Sequence, residues 1–138
     1  MVIAIIGILA TIATISLSNT RGKARDAKRL ADVKQMQTAL EIYFNDNQRY
    51  PDLSIWASKT LASTTPNGTT TYMAIIPDAP TPPDGICDTV NNQFSYAVSA
   101  SGGSYQINYC LGGMVGDTPG GLHHASPDGL DVSVQVLP

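Results

Sequence analysis

The chain has 138 residues, a formal net charge of −3 and only eight Lys and Arg, which leaves room for one small domain and excludes a second enzyme-sized one. All eight bases lie at or before Lys59, and the six acidic residues after it are all Asp. The second half therefore has no basic side chain with which to bind phosphate or nucleic acid.

The first seventeen residues, MVIAIIGILATIATISL, carry no charge and are followed by the charged stretch RGKARDAKR. As an α-helix they would span roughly 25 Å, somewhat less than the hydrocarbon core of about 30 Å in a bilayer. Residues 1–18 are therefore predicted to be a helix for membrane lipid or for a helix bundle.

Small residues recur along this head at three- and four-residue steps, although chance composition is an alternative explanation. Such a stripe lets neighbouring helices approach closely. The predicted helix assembly face consists of Ala4, Gly7, Thr11, Thr14 and Ser18.

The helical pattern continues through residues 19–50, where apolar residues recur among Lys, Arg, Asp and Gln. Pro51 predicts that the helix ends between Asn47 and Tyr50, which gives one continuous helix of about fifty residues. Its amphipathic half is predicted to pack against a domain through an apolar stripe that starts near Ala27. The predicted packing residues are Leu30, Val33, Met36, Leu40, Tyr43 and Phe44.

Residues 51–138 are predicted to form the globular domain. From Asp52 to Asp84 the abundance of Ser, Thr, Pro and Gly indicates a loop-rich connection. Within it, Asn67-Gly68-Thr69 is interpreted as a turn, with N-glycosylation as the alternative.

Alternating residues then predict strands. The segment FSYAVSASGGSYQINY indicates a β-hairpin over residues 93–110, and GLDVSVQVLP indicates a third or edge strand. The inward residues of that last strand would be Leu130, Val132, Val134 and Val136. The expected fold class is α+β, with the long N-terminal helix packed against an antiparallel sheet of three to four strands.

The only two cysteines, Cys87 and Cys110, lie in a Gly- and Pro-rich region that follows a membrane-type segment. Exported domains with thin cores use disulfides in this situation, so a bridge is predicted, with a reduced pair as the alternative. In the chain-entropy model such a bridge stabilises the fold by about 3 kcal/mol.

No sequence motif indicates an enzyme. His123 and His124 lack the HExxH spacing of a zinc hydrolase and are interpreted as loop residues without a role. Asp117, Asp128 and Asp131 are low-ranking candidates for calcium, because their spacing is not that of an EF-hand and acidic surface turns are common. No other cofactor is expected.

The basic residues near the start of the amphipathic half have two interpretations. They form a solvated or salt-bridged helix flank, which is favoured, or they bind nucleic acid or anionic lipid headgroups. The cluster consists of Arg21, Lys23, Arg25, Lys28 and Arg29.

The string VIAIIGILATIA, the charged amphipathic run and the helix end NQRYP resemble the N-terminal half of type IV pilins and of the pseudopilins of type II secretion, from Val2 to Pro51. The segment YCLGG, at the end of the predicted hairpin, and the turn HHASPDGL resemble pilin-family domains more weakly. The resemblance implies a homo-oligomeric filament subunit that is anchored in the bacterial cytoplasmic membrane among lipid, handled by separate assembly machinery, and then displayed on the cell surface.

A type IV pilus subunit is the first expectation from this resemblance. The alternatives are a pseudopilin of a type II secretion or DNA-uptake system, and a membrane-tethered binding domain that does not polymerise. In the family a basic leader and about seven apolar mature residues precede the matched string, so such a segment is expected upstream of Met1. The cleavage-site glycine and the N-terminal glutamate of the family have no counterpart in these residues.

Overall fold

The computed structural model of the chain describes residues 2–66 and 68–131. Two helices and six strands follow one another along it. They are α1 (Val2–Asn47), α2 (Leu53–Ala57), β1 (Leu61–Thr65), β2 (Gly68–Met73), β3 (Ser95–Val98), β4 (Tyr105–Leu111), β5 (Gly121–Ser126) and β6 (Gly129–Leu130).

The first helix is continuous over 46 residues, as the sequence predicts. It ends at Asn47 because Gln48 adopts a left-handed conformation (φ 58°), and Pro51 follows three residues later. The second half of α1 packs against both sheets, whereas the first half extends beyond the domain.

The strands form a two-stranded antiparallel sheet, β1-β2, and a four-stranded antiparallel sheet in the order β3-β4-β5-β6. The predicted hairpin over 93–110 is confirmed as β3 and β4, in which Tyr96 pairs with Ile107 and Val98 with Tyr105. Alternate residues of β4 face the core, and Tyr105, Ile107 and Tyr109 are almost fully buried. The α+β fold class is confirmed.

The core lies between α1 and the two sheets. Val33, Met36, Leu40 and Tyr43 are at most 5% exposed, and Leu30 and Phe44 pack at its edge. All six predicted packing residues therefore lie against the domain. Ala27 does not: it is exposed, and the buried stripe instead begins at Asp26 and Arg29.

The prediction of a loop-rich connection from Asp52 to Asp84 is wrong for residues 53–73. That region contains α2 and the β1-β2 hairpin, in which Thr65 pairs with Gly68 across the predicted turn. Asn67 lies outside the described residues. β-branched threonines on both strands favour extended structure, and Thr64 pairs with Thr69.

The interpretation of the two histidines as loop residues is also wrong, because both lie in β5. His123 pairs with Tyr109, and His124 with Asn108. Of the predicted last strand, Leu130 lies in the short β6, while Val132, Val134 and Val136 lie outside the described residues.

Candidate assembly surface

The first turns of α1 expose large apolar side chains among the described residues. We call residues 2–17 the apolar segment. The eight large aliphatic side chains of this segment that the structure describes are each at least half exposed, up to 87% for Ile3. They are Val2, Ile3, Ile5, Ile6, Ile8, Leu9, Ile12 and Leu17. An exposed apolar surface of this kind marks contact with another apolar phase or with a partner.

The small-residue face predicted from the sequence lies on this segment. Ala4, Gly7 and Thr11 are exposed, and a Cβ atom added at Gly7 would meet no atom of the chain within 4 Å. The Thr11 hydroxyl donates a hydrogen bond of 2.8 Å to the Gly7 carbonyl oxygen, which suits an apolar environment because its polar group already has a partner. Thr14 and Ser18 continue the helical backbone, but their side chains lie outside the described part of the structure.

Among the described residues, no helix is both long enough and apolar enough to cross a bilayer.

A buried ionic cluster joins α1 to the domain at the point where the helix meets it. The Arg29 side chain is fully buried and donates to Asp26 Oδ1 (2.7 Å), to Asn92 Oδ1 (3.0 Å) and to the Pro80 carbonyl oxygen (2.9 Å). It also reaches Asp84 Oδ2 at 3.2 Å. Burying a guanidinium carries a large desolvation penalty, and multiple hydrogen bonds and ion pairs of this kind offset it.

The two carboxylates of this cluster are likewise saturated. Asp26 accepts hydrogen bonds from the backbone N–H groups of Gly112 and Gly113, each at 2.9 Å. Asp84 accepts from Arg25, with one bond of 2.6 Å from Nε and a second from Nη2. The Arg25 guanidinium, and then Arg29, lower the pKa of the Asp84 carboxyl, although partial burial opposes this.

The loop that carries Asp84 is held closely against the end of β4. A Cβ atom on Gly112 would lie 2.3 Å from the Asp84 carbonyl oxygen, so only glycine permits this approach. Next to it the Cys87–Cys110 disulfide is present, with its Cα atoms 5.9 Å apart. The disulfide and the ionic cluster therefore fix the same loop, one to the sheet and the other to α1.

The sequence indicated the basic residues but not this arrangement. Arg25, Lys28 and Arg29 pair with Asp84, Asp32 and Asp26, so the salt-bridged interpretation holds for these three. Arg21 and Lys23 are exposed and have no such partner among the described residues. The i, i+3 spacing of Asp26 and Arg29 is the available signal in the sequence, but charged residues are seldom fully buried, so the spacing alone does not predict a place in the core.

The three aspartates considered for calcium do not converge. Asp117 lies in the tight turn closed by Val115 and Thr118, whereas Asp128 lies in the β5-β6 turn at the other end of β5. Asp131 instead approaches His124, with Nε2 and Oδ2 3.5 Å apart. Over residues 2–66 and 68–131, no three His, Cys, Asp or Glu side chains come close enough to hold a metal ion.

His123 has a packing role that the sequence did not indicate. It is 1% exposed, and its ring nitrogens lie 2.8 Å from the Pro119 carbonyl oxygen and 3.2 Å from that of Asp131. Its ring also packs against Tyr109, whose pKa burial raises to about 12. The signal would have been the alternation of Gly121, His123 and Ala125 on one face of a strand.

Comparison with known proteins gives one partial relationship. A segment of 51 residues is 39% identical to the type II secretion system core protein G of Aeromonas hydrophila. The match spans 37% of this chain and 36% of that protein, so it covers about a third of each. No family model matches the chain, and no solved structure matches it.

Proposed function

We propose that this chain is a pseudopilin-type structural subunit that assembles with copies of itself through the apolar segment of α1. The single observation that carries the proposal is the contrast within this helix, whose second half is buried against its own domain and whose first half exposes eight large aliphatic side chains. Burying one such side chain is favourable by about 1.5–3 kcal/mol, so an environment that covers them all is strongly preferred to water.

Two environments can cover the segment in turn. Lipid covers it before assembly, and the apolar segments of neighbouring copies cover it afterwards. Because lipid tails are as apolar as the side chains, the second step depends on close van der Waals packing, for which Ala4, Gly7 and Thr11 provide room. The proposed role is mechanical, and the described residues that carry it do so by packing rather than by chemistry.

The partial relative favours the secretion variant of this function. That relative is a core protein of a type II secretion system, so we propose a secretion-system assembly as the partner of this chain, in a location that is membrane-associated and faces outward. A type IV pilus subunit remains the second candidate, because a subunit of either assembly would use the same helix. A tethered, non-polymerising domain is the rival of a different class.

The proposal is tested by adding bulk to the small face. The double variant Gly7→Leu/Thr11→Leu keeps the segment apolar but fills the space where a neighbouring helix would approach. Ile8→Leu is the matched control, because it preserves volume at a large exposed position of the same segment. Both variants are produced as the full precursor, and their membrane fraction and sheared filament yield are compared with those of the unmodified protein.

We expect both variants to reach the membrane, with filaments strongly reduced only in the double variant. Normal filament yield from the double variant would refute packing through the small face. A protein that never forms filaments or oligomers, unmodified or not, would instead favour the tethered domain.

A further inference from the structure

Within the basic cluster of residues 21–29, the free positive charges lie at the end nearest the apolar segment. Arg25, Lys28 and Arg29, farther along, are all neutralised by carboxylates. Arg21 and Lys23 are exposed, and neither side chain forms a hydrogen bond or ion pair in the described part of the chain. The charge of the basic cluster that remains available to a partner therefore lies where the apolar segment ends.

These two residues line a groove of about 730 Å³ between α1 and the domain. Asn19, Arg21 and Lys23 form the helix side of the groove, and Pro82 and Gly113 belong to its domain side. The acidic groups in the lining are Asp26 and Asp84, and both are already saturated by arginines or backbone N–H groups. The groove thus presents two uncompensated positive charges.

The distance from the apolar segment fits a particular partner. At about 1.5 Å per residue, Arg21 lies about 6 Å and Lys23 about 9 Å along the helix beyond Leu17, the last large aliphatic residue of the segment. Headgroup phosphates occupy a layer directly outside the hydrocarbon core, and long basic side chains extend toward it. A helix whose apolar segment lies in lipid would place both cations in that layer.

We propose that Arg21 and Lys23 bind the phosphates of anionic lipid headgroups while the subunit resides in the membrane. The inference rests on the proposed function, since it requires a membrane stage before assembly. The charge favours lipid over a copy of the chain, because both cations adjoin the apolar segment. Among the described residues, the acidic side chains that form no hydrogen bond or ion pair are Asp117 and Asp128, which lie on either side of β5 and offer no single complementary site.

The test measures lipid selectivity of the full-length protein in phosphatidylcholine vesicles. Phosphatidylglycerol and phosphatidylcholine, each spin-labelled on the acyl chain, are compared by electron paramagnetic resonance for association with the protein. The variant is Arg21→Gln/Lys23→Gln. The matched control is Lys34→Gln, which removes another exposed, unpaired cation of α1 about 16 Å farther along the helix than Lys23.

We expect the unmodified protein to prefer phosphatidylglycerol, with each of the two cations contributing up to about fivefold, and we expect high salt to weaken this preference. The double variant should lose the preference, and Lys34→Gln should keep it. An unchanged preference in the double variant, or an equal loss in Lys34→Gln, would overturn the proposal.

Assembly of the same variants separates this inference from the proposed function. Loss of lipid selectivity with normal filament or oligomer yield supports the lipid site. Normal selectivity with reduced assembly would overturn it and assign Arg21 and Lys23 to a contact with a neighbouring copy. Absence of assembly in the unmodified protein would contradict the proposed function, while the lipid measurement would still stand by itself.

Discussion

The two halves of α1 form one uninterrupted helix, yet they are built for different surroundings. From Asp26 to Tyr43 the helix buries a stripe against the sheets, and Val33 and Leu40 are fully inaccessible. Over residues 2–12 and at Leu17, the large aliphatic side chains that the structure describes are each at least half exposed. Hydrophobicity alone therefore does not locate the core, because the most apolar part of the helix is also its most exposed part.

The boundary between the halves is ionic rather than apolar. Arg29 and Asp26 occupy the first buried positions of the stripe, and they bind the loops around Asp84 and Gly112. These contacts fix where the domain begins along α1. If this division holds, the stability of the domain depends on the second half of α1 and assembly depends on the first half.

The largest effect on stability is expected from Arg29→Ala. Removing one partner of a buried ionic cluster costs about 3–5 kcal/mol in the free energy of unfolding, because Asp26 and Asn92 lose a fully buried partner. Lys34→Ala, at an exposed position of the same helix, should change it by less than about 0.5 kcal/mol. Urea unfolding followed by the fluorescence of Trp56, which stacks on Tyr96, measures both. Equal stability of the two variants would show that the cluster does not anchor the domain.

Replacing one leucine from each half of α1 compares what their apolar side chains contribute to the stability of the domain. Leu40→Ala should lower the free energy of unfolding by about 2–5 kcal/mol, since it opens a cavity in the core. Leu9→Ala, at a position 61% exposed, should leave the unfolding of the domain nearly unchanged. The same urea titration measures both variants. A comparable loss from Leu9→Ala would mean that the apolar segment supports its own domain.

The disulfide is expected to contribute about 3 kcal/mol, because it restricts a loop of 23 residues in the unfolded chain. Cys87→Ser/Cys110→Ser should therefore unfold at lower urea but keep the membrane association proposed for α1. Mass spectrometry after alkylation without reduction checks the bond in the exported protein. Two alkylated thiols would show that the bond does not form there.

A smaller effect is expected from acid. The pKa of Asp84 is lowered in the folded protein by Arg25, so the stabilisation from this pair is complete above the unfolded pKa of about 3.9 and is lost as the pH falls through the folded value. Stability should decrease below about pH 4, and less steeply in Asp84→Asn. Identical slopes for the two proteins in acid titrations of urea unfolding would contradict a role of this pair.

Local pattern was sufficient for the features that it encodes directly. The continuous α1 and its end before Pro51 follow from periodicity and from proline, and the β3-β4 hairpin follows from the alternation around Tyr96 and Ile107. In β2 most residues are exposed, so the strand shows no apolar alternation and resembles a loop. In β5 the buried positions include Gly121 and His123, which again conceals the period of two.

The ionic cluster was not predictable in the same way. Asp26 and Arg29 are adjacent on the helix, but the groups that permit their burial, Asp84, Asn92 and the N–H of Gly112, come from positions far along the chain. No local window includes them. The small-residue assembly face stays a prediction: the sequence shows residue size along one helix, and only a contact with a neighbouring copy would test it.

The central claim is that the apolar segment contacts the same segment of neighbouring copies. Both native cysteines form the disulfide, so Leu9→Cys introduces a single reactive thiol, and Thr69→Cys does the same on the exposed β2 strand. A short bismaleimide is applied to intact cells that produce either variant together with its assembly machinery. We expect cross-linked dimers from Leu9→Cys and far fewer from Thr69→Cys. Adding Gly7→Leu/Thr11→Leu to Leu9→Cys should suppress the dimers. Dimers from Leu9→Cys no more abundant than those from Thr69→Cys would contradict it.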